Sequence, residues 1–463
     1  MGVWKMGLQD KVHALYDVIS EKYYRNVPDL RVTDGKNRKA YNSCLLFSTL
    51  TALNNGKILL FGEYGGGKTT SAEYVLSLFR GIPLDVVQMG QIRGHPELTE
   101  EKIKGRPDLA KMNAGIGEEV IWEFFPLLPG HVIDEINRIP ESKQSMILEG
   151  VGRGIWQYLR EIIFKEHTPL FSTNNYADKG NVELVPPMKD RFDISVESKY
   201  PGVLNAMEIM LDYTNDDNAL LKNEDISGRV IDALLEGKDA AREKLPALLE
   251  EYKRHVEESL GVQTLSAEEL SQIEDEIRRM PLDEGAMTLM KMLITEMNWN
   301  PETGQKRTGE MPQGNHYEMY LFSRIENAGS RRMDKSIVHY ARSLAWITGS
   351  ERVTAEHIST IAPYAMWHRV QWADTEWYRG LKSATERDDP LDLYACKEAV
   401  KSVKGRMMDA MRDRDGSLPE FFEMQKEVVE GSVEFRAFQK KFKDHPHPLY
   451  KEVLKITERL TQW

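Results

Sequence analysis

Residues 58–70, Ile58-Leu-Leu-Phe-Gly-Glu-Tyr-Gly-Gly-Gly-Lys-Thr-Thr70, decide how the rest of the chain is read. Positions 62–69 spell G-x-x-x-x-G-K-T. A short apolar run, 58–61, precedes them, and Ala72, Val75, Leu76 and Phe79 follow at helical spacing. Strand, glycine-rich turn and helix in that order predict a phosphate-binding Walker A loop. Glycines let successive backbone N–H groups turn inward around phosphate oxygens, and the helix N-terminus adds its positive end. The expected nucleotide contacts are Gly62, Glu63, Tyr64, Gly65, Gly66, Gly67, Lys68, Thr69 and Thr70. In this reading Lys68 reaches the β- and γ-phosphates and Thr69 ligates Mg2+, so ATP and Mg2+ are the expected cofactors.

Downstream, a strand is predicted over 84–89, followed by irregular stretches around 91–98 and 104–107. Residues 119–128 alternate and predict a hairpin. Residues 131–136 predict a strand with Asp134 and Glu135 at its C-terminal end, where an open α/β sheet binds ligands. Asp134 is the expected Mg2+ holder, through water, and Glu135 the general base that polarises the attacking water. Residues 141–159 read as helical, interrupted by Gly150 to Gly154. A strand over 169–172 ends in Thr173-Asn174-Asn175, where a polar side chain can orient the lytic water. Residues 186–193 lead into a short strand at 194–196. Strands alternating with helices predict an α/β fold: a parallel, doubly wound sheet with helices on both faces.

Upstream, helices are expected over 7–24 and 39–54, with a loop between them at 25–37. From residue 200 the pattern is helical only. A charged insertion spans 220–260 and a further helical stretch 265–299. A loop follows over 300–315, then a helix opening at 328–333 and running to 348, then a helix capped by Thr354. Residues 373–463 read as an all-helical tail with loops near Asp388-Asp-Pro390 and Asp415-Gly416.

A chain of 463 residues suggests about two to four domains. The net charge of −12 and the lack of a basic, aromatic stripe weigh against nucleic acid as a partner. Cys44 and Cys396 form no pair motif, which predicts a reducing, cytoplasmic setting. No apolar run approaches ~18 residues, so no membrane span is expected. Residues 1–30 carry Asp10, Asp17 and Glu21 and no apolar segment, which reads against a signal peptide.

Together these stretches resemble the MoxR family of AAA+ ATPases, in the clade with an insertion in helix 2. Val132-Ile-Asp-Glu-Ile-Asn-Arg138 is similar to the family's Walker B, and Gln144-Ser-Met-Ile-Leu-Glu149 to the helix after it. The resemblance implies that Asn175 is the sensor 1 asparagine and that Arg191, within 186–192, is an arginine finger. It makes Arg332 the sensor 2 arginine, with Arg331 as the alternative register. The chain departs from the family at Arg331, where proline is usual, and at Asn174-Asn175-Tyr176, where Gln-Asn-Pro is usual. The implied organisation is an N-terminal helical segment (1–38), the α/β nucleotide domain (39–205), a helical insertion (206–263), a helical lid (264–372) and a helical C-terminal extension (373–463). The implied activity is ATP-driven, chaperone-like remodelling by a hexameric ring, with a partner that often carries a von Willebrand factor A domain. The pieces outside the resemblance, about 208–262 and 373–463, are then expected to set the partner. The helix-2 insertion falls near 119–126, facing a pore or partner, unless Trp122, Phe124 and Phe125 are core. Two other readings stay open: a nucleic-acid motor similar to MCM helicases, and a nucleotide switch that does not hydrolyse.

Overall fold

Helix α1 (Leu8–Val18) continues as a π-helical turn over Ile19–Tyr23 and buries Val12, Leu15, Tyr16 and Ile19. These elements belong to a computed structural model that describes residues 6–34, 37–115, 118–176, 184–212, 217–312, 317–384, 387–412 and 417–461. It divides into two units, Met1–Met280 with Arg342–Ser350, and Pro281–Ala341 with Glu351–Trp463.

In the first unit, β1 (Leu30–Asp34) and β2 (Asn37–Tyr41) pair antiparallel. This corrects the loop expected over 25–37 and the helix start at 39. Leu30, Val32 and Tyr41 are buried, and Asp34-Gly35 between alternating segments is a hairpin signal as much as loop punctuation. Helix α2 (Ser43–Asn54), buried along its whole length, is capped by Asn42, whose side chain accepts from Leu45 N at 3.0 Å. Strand β3 (Lys57–Gly62) leads to the phosphate loop and α3 (Lys68–Arg80).

Residues 84–89 are not a strand but helix α4 (Leu84–Met89). Their β-branched content points to a strand, yet Pro83 before, Asp85 in the first turn and Gly90 after are helix start and stop signals. The strand is β4 (Ile92–Arg93). Then come β5 (Gly105–Pro107), α5 (Leu109–Asn113), capped by Asp108, and β6 (Val120–Trp122). Strand β6 pairs with β5 rather than folding back within 119–128. The second half of that stretch is the short helix α6 (Phe124–Leu127), where Pro126 has no N–H for a ladder. Trp122 and Phe125 are buried, so the core alternative holds for them.

Strand β7 (His131–Asp134) is followed by α7 (Glu141–Arg153), which runs through Gly150 and ends on Gly154 at φ 65°. Residues 155–159, expected to be helical, instead open the hairpin of β8 (Ile155–Tyr158) and β9 (Glu161–Phe164). Glu161 ties this hairpin to β6. Its carboxylate accepts from Val120 N at 2.8 Å and Trp122 Nε1 at 3.1 Å. Strand β10 (Leu170–Asn175), α8 (Pro186–Lys189) and β11 (Ile194–Glu197) complete the core.

The five-stranded sheet has the order β11-β3-β10-β7-β4, and every pairing is parallel. Near-continuous burial of Ile58, Leu59 and Leu60, of Val132 and Ile133, and of Leu170 and Phe171 is what a parallel sheet covered by helices requires.

The helical remainder of this unit is α9 (Val203–Asp212), α10 (Glu224–Leu235), α11 (Lys238–Leu260) and α12 (Ala267–Arg279). The insertion is anchored on α3 by the Ser77 and Tyr252 hydroxyls, 2.7 Å apart. Lys238 pairs with Glu161 and so links α11 to the β8–β9 hairpin.

The second unit begins with α13 (Glu284–Asn298). Helix α14 (Arg331–Ile347) follows; its last residues count with the first unit. Then come α15 (Ala355–Met366), α16 (Glu376–Lys382), α17 (Leu391–Arg412), α18 (Leu418–Val429), α19 (Phe435–Phe442) and α20 (Pro448–Thr461). Thr354 caps α15 together with His357, whose Nδ1 lies 3.0 Å from Thr354 N. A fully buried carboxylate, Glu296 on α13, takes Arg406 Nη2 of α17 at 2.6 Å and His447 Nε2 at 3.1 Å. The loop expected at Asp415-Gly416 lies outside the described residues. No helix among the described residues is long and apolar enough to cross a membrane.

Candidate functional site

The sheet order sets β3, β10 and β7 side by side, so the loop after β3 meets the tips of the other two. Gly65 and Gly67 have φ of 72° and 75°, the left-handed conformation that turns N–H groups into the loop. Gly62 has no room for a side chain: a Cβ would lie 2.7 Å from the Ser198 carbonyl oxygen. The ring of Tyr24 packs on Gly67, and its hydroxyl lies 2.7 Å from Ser198 Oγ, which donates to the Gly66 carbonyl. Glu63 and Tyr64 stand at the exposed rim. Lys68 is buried and donates to the carbonyls of Gly62 at 2.8 Å and Glu63 at 2.7 Å. Burial pulls its ammonium down from the ordinary range, against the opposing charges of Asp134, Glu135 and Glu63. Thr69 and Thr70 lie in the first turn of α3.

The two acids sit where the sequence places them. Asp134 Oδ1 accepts from Thr69 Oγ1 at 2.9 Å and from Thr173 Oγ1 at 2.7 Å. Glu135 has φ 55° and ψ 56°. Its Oε1 accepts from Asn175 Nδ2 at 2.6 Å, and its Oε2 pairs with Arg138 Nε at 3.0 Å. Thr69, Asp134, Glu135 and Asn175, from three separate segments, are thus joined in one hydrogen-bonded set. A threonine hydroxyl and a carboxylate in contact beside a glycine loop are oxygen donors of the kind Mg2+ takes, and the inward amides with Lys68 suit phosphate.

Arg191 is placed apart from this set. It donates to Ser145 Oγ at 2.8 Å and Ser145 O at 3.2 Å, on α7. No ion pair of Arg191 is found among the described residues; Asp193 instead accepts from the backbone N–H of Lys57 at 2.8 Å. Arg332 lies in the second unit on α14 and is exposed, while Arg331 pairs with Asp334 at 3.2 Å. Sequence reasoning passes over Thr173, Arg138, Tyr24 and Ser198. The first stands inside the quoted strand end and Arg138 inside the quoted Asn-Arg; nothing local marks Tyr24 or Ser198.

Comparison with known proteins bears on the same elements. The AAA lid domain family matches residues 327–390. The chain has the AAA+ fold. A crystal structure of an ATPase candidate from Cytophaga hutchinsonii superposes with TM-score 0.55 at 16% identity, covering 86% of this chain and 94% of that one. A full-length MCM homologue of Methanopyrus kandleri gives TM-score 0.42 at 12% identity, over 80% of this chain and 62% of that one. No curated protein matches the sequence. The AAA+ fold thus accounts for both the parallel sheet with its loop after β3 and the helices that follow.

Proposed function

We propose that this chain is an ATP hydrolase that drives the remodelling or assembly of a partner protein complex, as MoxR-like AAA+ proteins do. The observation that carries the hydrolytic reading is the joined set Thr69–Asp134–Glu135–Asn175 at the mouth of the glycine loop. Lys68 and the loop amides hold the phosphates. Thr69 and Asp134 would hold Mg2+, which when bound neutralises charge on the β- and γ-phosphate oxygens. Glu135 accepts a proton from water as its oxygen bonds to the γ-phosphorus and the bond to the β–γ bridging oxygen breaks. Asn175 fixes which carboxylate oxygen of Glu135 is engaged and so sets the direction of the other.

Arg191, held at Ser145 rather than in this set, is suited to serve the site of a neighbouring copy in a ring, where its planar charge meets the γ-phosphate oxygens. The resemblance gives Arg332 the sensor 2 role, with Arg331 as the alternative register. A hexameric ring, a partner with a von Willebrand factor A domain and a cytoplasmic setting complete the reading, the last supported by Cys44 and Cys396, both free and buried. The test is phosphate release and binding of a fluorescent ATP analogue by wild type and Lys68→Ala. Hydrolysis by wild type, with both hydrolysis and binding lost in the variant, is expected. Binding retained in Lys68→Ala would place the nucleotide elsewhere.

A further inference from the structure

The ladder between β7 and β10 closes at Ile133 opposite Ser172. One residue further on, a side chain takes over from the backbone. Glu135 N donates to Thr173 Oγ1 at 2.8 Å, and Thr173 Oγ1 donates to Asp134 Oδ1 at 2.7 Å. A hydroxyl has one proton to give. Here it goes to the carboxylate, and a lone pair receives the amide, so the hydroxyl is fixed in both directions. Thr173 is fully buried.

What it holds is unusual. Glu135 is in the left-handed region, which residues with a side chain seldom occupy. Such a conformation persists only where the surroundings over-determine it. The other side of the turn is held from β4. Gly94 N donates to the Asp134 carbonyl at 2.7 Å. A Cβ on Gly94 would lie 2.0 Å from the Glu135 carbonyl oxygen and 2.8 Å from its carbon, backbone atoms that cannot swing aside. The Asp134–Glu135 turn is therefore clamped from both neighbouring strands, by a hydroxyl on one and by the absence of a side chain on the other.

We propose that Thr173 and Gly94 are positioning residues for Glu135: they hold the left-handed turn that aims its carboxylate, and Thr173 also sets the orientation of Asp134. This rests on the reading of Glu135 as the general base. A merely structural threonine would contribute to stability and leave turnover per folded site unchanged.

The experiment compares wild type, Thr173→Val, Thr173→Ser, Gly94→Ala and Glu135→Gln as full chains. Phosphate release is measured across ATP concentrations, and binding of a fluorescent ATP analogue is measured in Mg2+ and in chelator. Valine keeps the branched shape and removes the hydroxyl. Partners that orient a metal-binding carboxylate are typically worth about 10- to 100-fold, so kcat of Thr173→Val should fall by that much with KM little changed. Binding in chelator should stay at the wild-type level while the gain in affinity on adding Mg2+ shrinks. Thr173→Ser should recover most of the loss, and Gly94→Ala should lose kcat as valine does. Wild-type kcat in Thr173→Val overturns the proposal. So does a serine variant as impaired as the valine one, or loss of nucleotide binding in chelator. Wild-type kcat in Gly94→Ala removes Gly94 from it. Failure of the underlying reading looks different: wild type and Glu135→Gln then release phosphate at the same rate.

Discussion

Asn175 Nδ2 donates to Glu135 Oε1 at 2.6 Å, across the gap between the tips of β10 and β7. Asn175 stands opposite Gly62 on β3, so the same residue neighbours the start of the phosphate loop. In the proposed reading it reports the state of the phosphates to the base. Asn175→Ala should bind ATP as wild type does but turn it over about 10- to 100-fold more slowly, the usual loss when a group that orients a reactive side chain is removed. Equilibrium binding beside steady-state phosphate release checks this, and parallel losses in both would count against an orienting role.

Arg191 is predicted to act in trans. Among the described residues it meets Ser145 and no carboxylate. Fingers of this kind are worth roughly 10³–10⁵ in rate. Arg191→Ala and Lys68→Ala should each be inactive alone, and mixing them after subunit exchange should restore part of the activity. The restored interfaces join an intact loop to an intact arginine. A mixture that stays inactive, with exchange shown independently, contradicts the assignment.

Glu296, Arg406 and His447 make the C-terminal helices part of the second unit's interior. Burial pushes the Glu296 carboxyl up, but the His447 hydrogen bond and the Arg406 charge outweigh it and hold it below its ordinary value of 4.5. A depressed carboxylate contributes stability above its unfolded value and loses it as pH falls through the folded one. Removing one partner of a buried pair typically costs about 3–5 kcal/mol. Glu296→Gln should therefore lower the denaturant midpoint near neutral pH, and the gap to wild type should narrow as pH drops below 4.5. A gap that widens in acid would reverse the sign assigned here. Truncation at residue 372 should likewise melt the second unit, a consequence the expectation of a separate docking tail does not share.

Two glycines in α7 are predicted to respond oppositely to alanine. Alanine is better than glycine inside a helix by about 0.8–1.0 kcal/mol. At Gly152 a Cβ meets nothing within 4 Å, so Gly152→Ala should raise the unfolding midpoint. At Gly150 it would lie 2.7 Å from Cζ3 of the buried Trp156. Overpacking of that kind costs about 1–3 kcal/mol, so Gly150→Ala should lower the midpoint. Equal shifts in both would mean that the β8–β9 hairpin yields freely.

These residues also show where the sequence is legible. The loop at 62–69 and the acids at the end of the 131–136 run are local patterns, and the structure sets the loop after β3 and Asp134 at the C-terminal end of β7. The run 84–89 misleads because β-branched residues in a six-residue helix look like a strand, and its end signals weigh more than its composition. The β8–β9 hairpin hides behind Gly150 and Gly154: the first serves close packing on Trp156, the second the helix end. Thr173 and Gly94 could not be singled out at all. Their importance comes from strand register, which brings residues far apart in the chain to one turn, and no local pattern encodes it.

The central claim is that Glu135 is the base of an ATP-hydrolysing site, and a single-turnover measurement on Glu135→Gln tests it most directly. Wild type and variant are loaded with ATP and Mg2+ with sites in excess, and bound nucleotide and released phosphate are followed together. The account predicts equal loading and hydrolysis slowed by roughly 10²–10⁴-fold in the variant. Hydrolysis at the wild-type rate in the loaded variant would contradict it.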